Sequence, residues 1–107
     1  MKTVTASNFV EEVVESETPV VVDFWADWCA PCRMVGKVLE ELSVELDGKV
    51  KFVKINADEE VTLIHRHHIT SIPTLVIYSN REEVLRIVGA RNKPALLKEL
   101  ESVLTLN

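Results

Sequence analysis

Two cysteines stand in this chain of 107 residues, Cys29 and Cys32, with only Ala30 and Pro31 between them. Thiol–disulfide exchange needs an attacking thiolate, a mixed disulfide with the target, and a second thiol near enough to displace the product. Two cysteines at this spacing meet those needs if they open a helix. The unpaired N–H groups and positive dipole end of a helix N-terminus stabilise a thiolate and bring its pKa below the free value of about 8.5. Cys29 is then the nucleophile, and Cys32, one turn further in, is the shielded resolving thiol. Pro31 has no N–H to leave unpaired in a first helical turn, and its φ is already set for one. A disulfide across so short a loop would constrain the unfolded chain little, so a structural staple is not expected.

Cys-x-x-Cys is also half of a tetrahedral zinc site, but there is no second cysteine pair, and the other soft ligands are His65, His67 and His68. No metal is expected. Imidazoles near a helix C-terminus interact well with its dipole, and the three histidines read as a solvated helix end. Asp23 lies inside the apolar run Val20-Val21-Val22-Asp23-Phe24-Trp25-Ala26. A carboxylate there costs desolvation energy unless it is paired or has a task. If buried, it has a raised pKa and can exchange a proton with Cys32, directly or through a water. If it faces a loop, it hydrogen-bonds backbone and nothing more. Lys54, in Phe52-Val53-Lys54-Ile55, is either its partner or a side chain that snorkels to water.

The elements that must hold these groups follow from periodicity. Phe9, Val10, Val13 and Val14 recur at helical spacing across Ser7–Glu15, with Ser7 or Asn8 able to accept an N–H at the start. Val20 to Ala26 is apolar on both faces, as a central strand should be. Val35, Val38, Leu39, Leu42 and Leu46 line one face of a second helix that Asp47-Gly48 stops, which puts the cysteines at a strand-to-helix junction. Val50 to Ile55 is a strand, and Asp58 can cap a brief helix through Val61, Leu63 and Ile64 that ends near His67-His68. Leu75–Tyr78 and Val84–Val88 are close enough in sequence to pair as a hairpin. Asn92 can cap a last helix with Pro94 in its first turn and Leu96, Leu97, Leu100, Val103 and Leu104 inward. Alternating strands and helices followed by a hairpin imply an α/β fold, with a mixed sheet covered by helices on both faces.

At this length the whole chain, 1–107, is expected to form one domain. With 17 acidic against 12 basic residues its formal net charge is -5, which disfavours nucleic acid and anionic membrane surfaces as partners. The first residues hold no apolar stretch of signal-peptide length, and no run is long enough to span a membrane. A reactive cysteine pair in such a chain fits a reducing compartment, and a cytoplasmic location is expected.

The segment Phe24-Trp25-Ala26-Asp27-Trp28-Cys29-Ala30-Pro31-Cys32-Arg33-Met34 resembles the active-site signature of the thioredoxin family. Ile72-Pro73-Thr74 resembles its cis-proline loop and Val88-Gly89-Ala90 its later glycine, in the family's order and spacing. The resemblance implies a central, five-stranded mixed sheet, Cys29 as nucleophile, Cys32 as resolving cysteine, and Asp23 with Lys54 as the buried acid and its lysine neighbour. It also implies a cis Pro73, a substrate strand pairing with backbone around Ser71 and Ile72, and a docking surface of Trp28, Ala30, Pro31, Ile72, Pro73, Gly89 and Ala90. The chain departs from the family pattern at four places. Ala30, His68 and Arg81 replace glycines, and Lys37 replaces a proline that kinks the second helix, so a straighter helix is expected. Positive φ is cheap only for glycine, so His68 and Arg81 should cost stability or alter their turns.

The resulting expectation is a general protein disulfide reductase, an electron carrier without bound cofactor that works as a monomer. A flavin-dependent thioredoxin reductase is the donor the resemblance implies, and disulfide-containing proteins are the targets. Two other readings stay open on sequence: a thiol oxidant or disulfide isomerase of the same fold, and a binding or chaperone module whose cysteines are idle.

Overall fold

The computed structural model describes residues 1–106. Its strands are β1 (Lys2–Thr3), β2 (Val20–Trp25), β3 (Lys51–Asn56), β4 (Thr74–Ser79) and β5 (Glu82–Val88), and its helices α1 (Ala30–Glu45), α2 (Val61–Arg66) and α3 (Lys93–Glu101). They build one five-stranded sheet in the order β1-β3-β2-β4-β5. β2 pairs parallel to β3 and antiparallel to β4, which puts Asp23 beside Lys54 on one side and Leu75 on the other. β2 is central and fully buried over Val20 to Phe24, which is why its sequence is apolar at both parities.

The pleat of the strands sorts the core into two layers. Val21, Phe52, Leu75, Ile77 and Ile87 face α1 and α3 through Val35, Leu39, Leu42, Leu96 and Leu100. Val20, Val22, Phe24, Val53, Ile55 and Val76 face the opposite way, against Phe9, Val13, Leu63 and Ile69. The expected α/β architecture, with helices on both faces of a mixed sheet, is the one found. α1 ends at Glu45 with Gly48 at φ 81, and Asn92 caps α3 by accepting the Ala95 N–H at 3.0 Å.

Several local expectations are corrected. The expected first helix, Ser7–Glu15, is reduced to a π-helical turn over Val10–Val14, closed by Glu15 N donating to Val10 O at 2.9 Å. Asn8 does not cap it; its Oδ1 accepts from the upstream Thr5 N–H at 2.8 Å. β1, the fifth strand that the family resemblance implies, has no signal in the pattern, because two exposed residues carry no alternation. Asp58 does not cap α2: Glu60 occupies that position without a side-chain bond, and Asn56 Oδ1 accepts the N–H groups of Asp58 and Glu59. Val103 falls after α3 and is exposed rather than inward. His65 and His68 are exposed as expected, but His67 is half-buried against Phe9 at 4.7 Å between ring centroids, and burial lowers its pKa. His68 and Arg81 both hold positive φ, at 54° and 70°, with no glycine to make it cheap.

Candidate active site

The chain leaves β2 at Trp25 and enters α1 within a few residues, and Cys29 is the residue that turns the corner. It has extended backbone and occupies the N-cap of α1, where its Sγ accepts the N–H of Cys32 at 3.2 Å. A sulfur thus takes the place that a serine or aspartate oxygen fills at most helix starts, facing the positive end of the helix dipole. Ala30 and Pro31 form the exposed first turn. Cys29 and Cys32 are joined as a disulfide with their Cα atoms 5.2 Å apart. In this oxidised form Cys29 is hardly more open than Cys32, at 4% and 3% exposure, so the expected contrast between an open and a shielded sulfur is absent.

Beneath the helix tip lies Asp23, 2% exposed, with Oδ1 lacking any hydrogen-bond partner among the described residues. Burial is the main cause of its raised pKa, pushed up to about 7, and the charge of Lys54 partly opposes it. Of the two open readings for this residue, the structure has the buried one. Asp23, Lys54 and Cys32 share the wall of an open cavity of about 320 Å³, together with Trp25, Arg33 and Lys37. Lys54 makes no ion pair with Asp23 among the described residues; its Nζ lies over the Trp25 ring, 5.3 Å from the centroid.

The residues expected to dock a substrate fall into two linked groups. Ile72-Pro73 is a cis peptide bond, and Gly89, at φ 93, donates its N–H to Pro73 O at 2.9 Å, which ties the two loops together. Trp28 is 70% exposed and shares a groove of about 200 Å³ with Ser71, Ile72 and Ile64. Its indole Nε1 donates to Asp58 Oδ2 at 3.0 Å. Core packing is therefore not the role of Trp28. The Ser71 carbonyl already accepts the Thr74 hydroxyl at 2.6 Å, whereas the backbone groups of Ile72 have no partner among the described residues. Ala90 is half-buried and packs toward the α1 side of the core, away from this groove.

Sequence reasoning missed two participants. Asp58, read as a cap, orients Trp28 instead; nothing in its local sequence signals a partner thirty positions away. Trp25 was read only as part of a signature and a strand, although its place two residues after Asp23 puts both side chains on one face of β2.

What a disulfide at this helix tip can do is exchange electrons with another dithiol, and the class of protein is that of thiol–disulfide oxidoreductases. The chain belongs to the thioredoxin family, whose model matches residues 1–102. It is similar to thioredoxin 1 of Nostoc sp., 47% identical over 98 residues and 92% of each chain. The thioredoxin of Synechocystis sp. is 48% identical over 101 residues, 94% of each chain. That of Mycobacterium bovis is 43% identical over 100 residues, 94% of this chain and 86% of its own.

Proposed function

We propose that this single-domain chain is a general reductant of protein disulfides, with Cys29 as nucleophile. The thiolate of Cys29 attacks a target disulfide, forming a mixed disulfide and releasing one target sulfur as thiolate. Cys32 then gives its proton to the Asp23 carboxylate, and its thiolate attacks Cys29 Sγ. The second target sulfur leaves, the Cys29–Cys32 disulfide forms, and two electrons have passed to the target. A pKa near 7 suits Asp23 to this task, because a base works best when its pKa lies close to the working pH. Lys54 supplies the opposing charge that keeps the ionised form accessible.

The target docks as an extended segment against Trp28, Ala30, Pro31 and Ile72, with the buried Pro73 and the Gly89 bonded to it holding the Ile72 loop in place and Ala90 left out of the contact. The N–H and C=O of Ile72 and the N–H of Ser71, which have no partner among the described residues, are the groups left to pair with its backbone. Recharging falls to a separate dithiol donor, a flavin-dependent thioredoxin reductase by family. No helix among the described residues is long and apolar enough to cross a membrane; the cytoplasm as the place of work is a reading by family.

The observation that carries the proposal is the Cys29–Cys32 disulfide at the N-cap of α1. Its test is reduction of insulin with a chemical dithiol as electron source. Cys29→Ser should remove the rate above background, and Cys32→Ser should trap a covalent adduct with the target. A Cys29→Ser variant that still accelerated reduction would refute it.

A further inference from the structure

We propose that Trp25 is a positioning residue that holds the Lys54 ammonium away from Asp23 and so leaves the buried carboxyl without an ion-pair partner. The case begins with register. Asp23 and Lys54 are directly paired neighbours on parallel strands, and both side chains point to the α1 side of the sheet. A lysine in that place has the reach to form a salt bridge, and the buried Asp23 Oδ1 has no hydrogen-bond partner among the described residues. The ammonium instead lies 5.3 Å from the centroid of the Trp25 ring, whose face attracts a cation. Trp25 sits two residues beyond Asp23 on the same face, at the end of β2 and beside the same cavity. Its own Nε1 is buried without a partner among the described residues, so the ring's link to Lys54 is through its face and not its N–H.

The consequence is electrostatic. An opposite charge in contact holds a carboxyl ionised, whereas one at longer range only moderates the effect of burial. With the ring in place Lys54 acts at longer range; without it the chain is free to fold down onto Asp23. The other charged groups around the cavity are Arg33, Lys37 and Glu40 of α1, and the Met1 amino group, which lies 3.6 Å from Glu40. β4 presents the uncharged Leu75 at this register. None of these is altered by the substitutions below.

The test is the titration midpoint of the Asp23 carboxyl, followed by ¹³C resonance in the full oxidised chain. Trp25→Leu should lower the midpoint by about one pH unit, a tenfold fall in proton affinity, because Lys54 closes on the acid. Trp25→Phe keeps a ring face and should restore the parental value. In a Lys54→Met background, Trp25→Leu should leave the midpoint unmoved. The unsubstituted protein offers a check that no folding defect can spoil: the Lys54 Hε protons should show an upfield ring-current shift. A midpoint that stays put in Trp25→Leu, one that falls equally in the Lys54→Met background, or an absent ring-current shift would each overturn the proposal. The effect on catalysis rests on the reading of Asp23 as the base for Cys32. If the midpoints move as stated while Asp23→Asn resolves mixed disulfides at the parental rate, the positioning stands and that reading falls.

Discussion

Two lysines three positions apart on β3 each meet a carboxyl, one on either face of the sheet, and the two acids respond in opposite ways. On one face Glu12, from the π-helical turn, accepts from Lys51 Nζ at 2.7 Å and from Lys2 Nζ at 2.8 Å. Those hydrogen bonds, Lys2's first, lower its pKa to about 2. On the other face Asp23 lies beside Lys54 but is not bonded to it, and burial raises its pKa to about 7. A neighbouring lysine in the register therefore does not decide the protonation of an acid. What decides it is whether the ammonium reaches the oxygens and how much water has been excluded. Glu12 fastens the first turn and β1 to the sheet; Asp23 remains free to take up and release a proton.

The largest expected effect comes from removing the charge that Asp23 is forced to carry. Its folded pKa, about 7, lies above the unfolded value of 3.8. The favourable contribution is therefore complete below about pH 4 and is lost as pH rises through 7. Asp23→Asn should match the parent near pH 4 and exceed it at pH 8 by up to about 4 kcal/mol, measured by urea unfolding at both values. Equal gaps at the two pH values would remove the contrast between the faces.

Glu12 has the opposite sign. Its folded pKa, about 2, lies below the unfolded value of 4.5, so its contribution is present at neutral pH and lost as pH falls toward 2. Lys51→Met should raise the Glu12 midpoint and move the acid unfolding transition to higher pH, while leaving the midpoint of Asp23 unchanged. Lys54→Met should do the reverse, raising the Asp23 midpoint with no effect on Glu12, since the Lys54 charge lowers it in the parent. Carboxyl titrations of both variants check the pair of outcomes. The smallest effect is a control remote from both acids. Arg81, at φ 70, holds a left-handed conformation in the hairpin turn, and Arg81→Gly should stabilise by about 1 kcal/mol in thermal unfolding with neither midpoint displaced.

The alternation of apolar residues made most of this fold legible. Val35, Leu39 and Leu42 on α1, and the two-sided apolar run of β2, gave the layers because burial imposes those periods directly. Cys29 and Cys32 were legible for a related reason: a Pro one residue before Cys32 and a strand before Cys29 place the helix start. What stayed hidden depends on partners distant in sequence. His67 looked like its two exposed neighbours, yet its ring packs at a tilt against Phe9, far from it in sequence. Asp58 had the type and place of a cap, but Trp28 claims its carboxylate. Lys54 could be paired with Asp23 by register, while its actual seat over Trp25 depends on side-chain geometry that no periodicity encodes. β1 is two residues long, too short to show alternation.

The central claim is that the tip of α1 makes Cys29 the attacking thiolate and Cys32 the thiol that waits for it. The direct measurement is the alkylation rate of each cysteine in the reduced chain against pH, with the modified residue identified by mass spectrometry. The account expects Cys29 to react first, with a midpoint below the free-thiol value of about 8.5, and Cys32 to lag behind it. Equal rates for the two, both following an ordinary free cysteine, would contradict it.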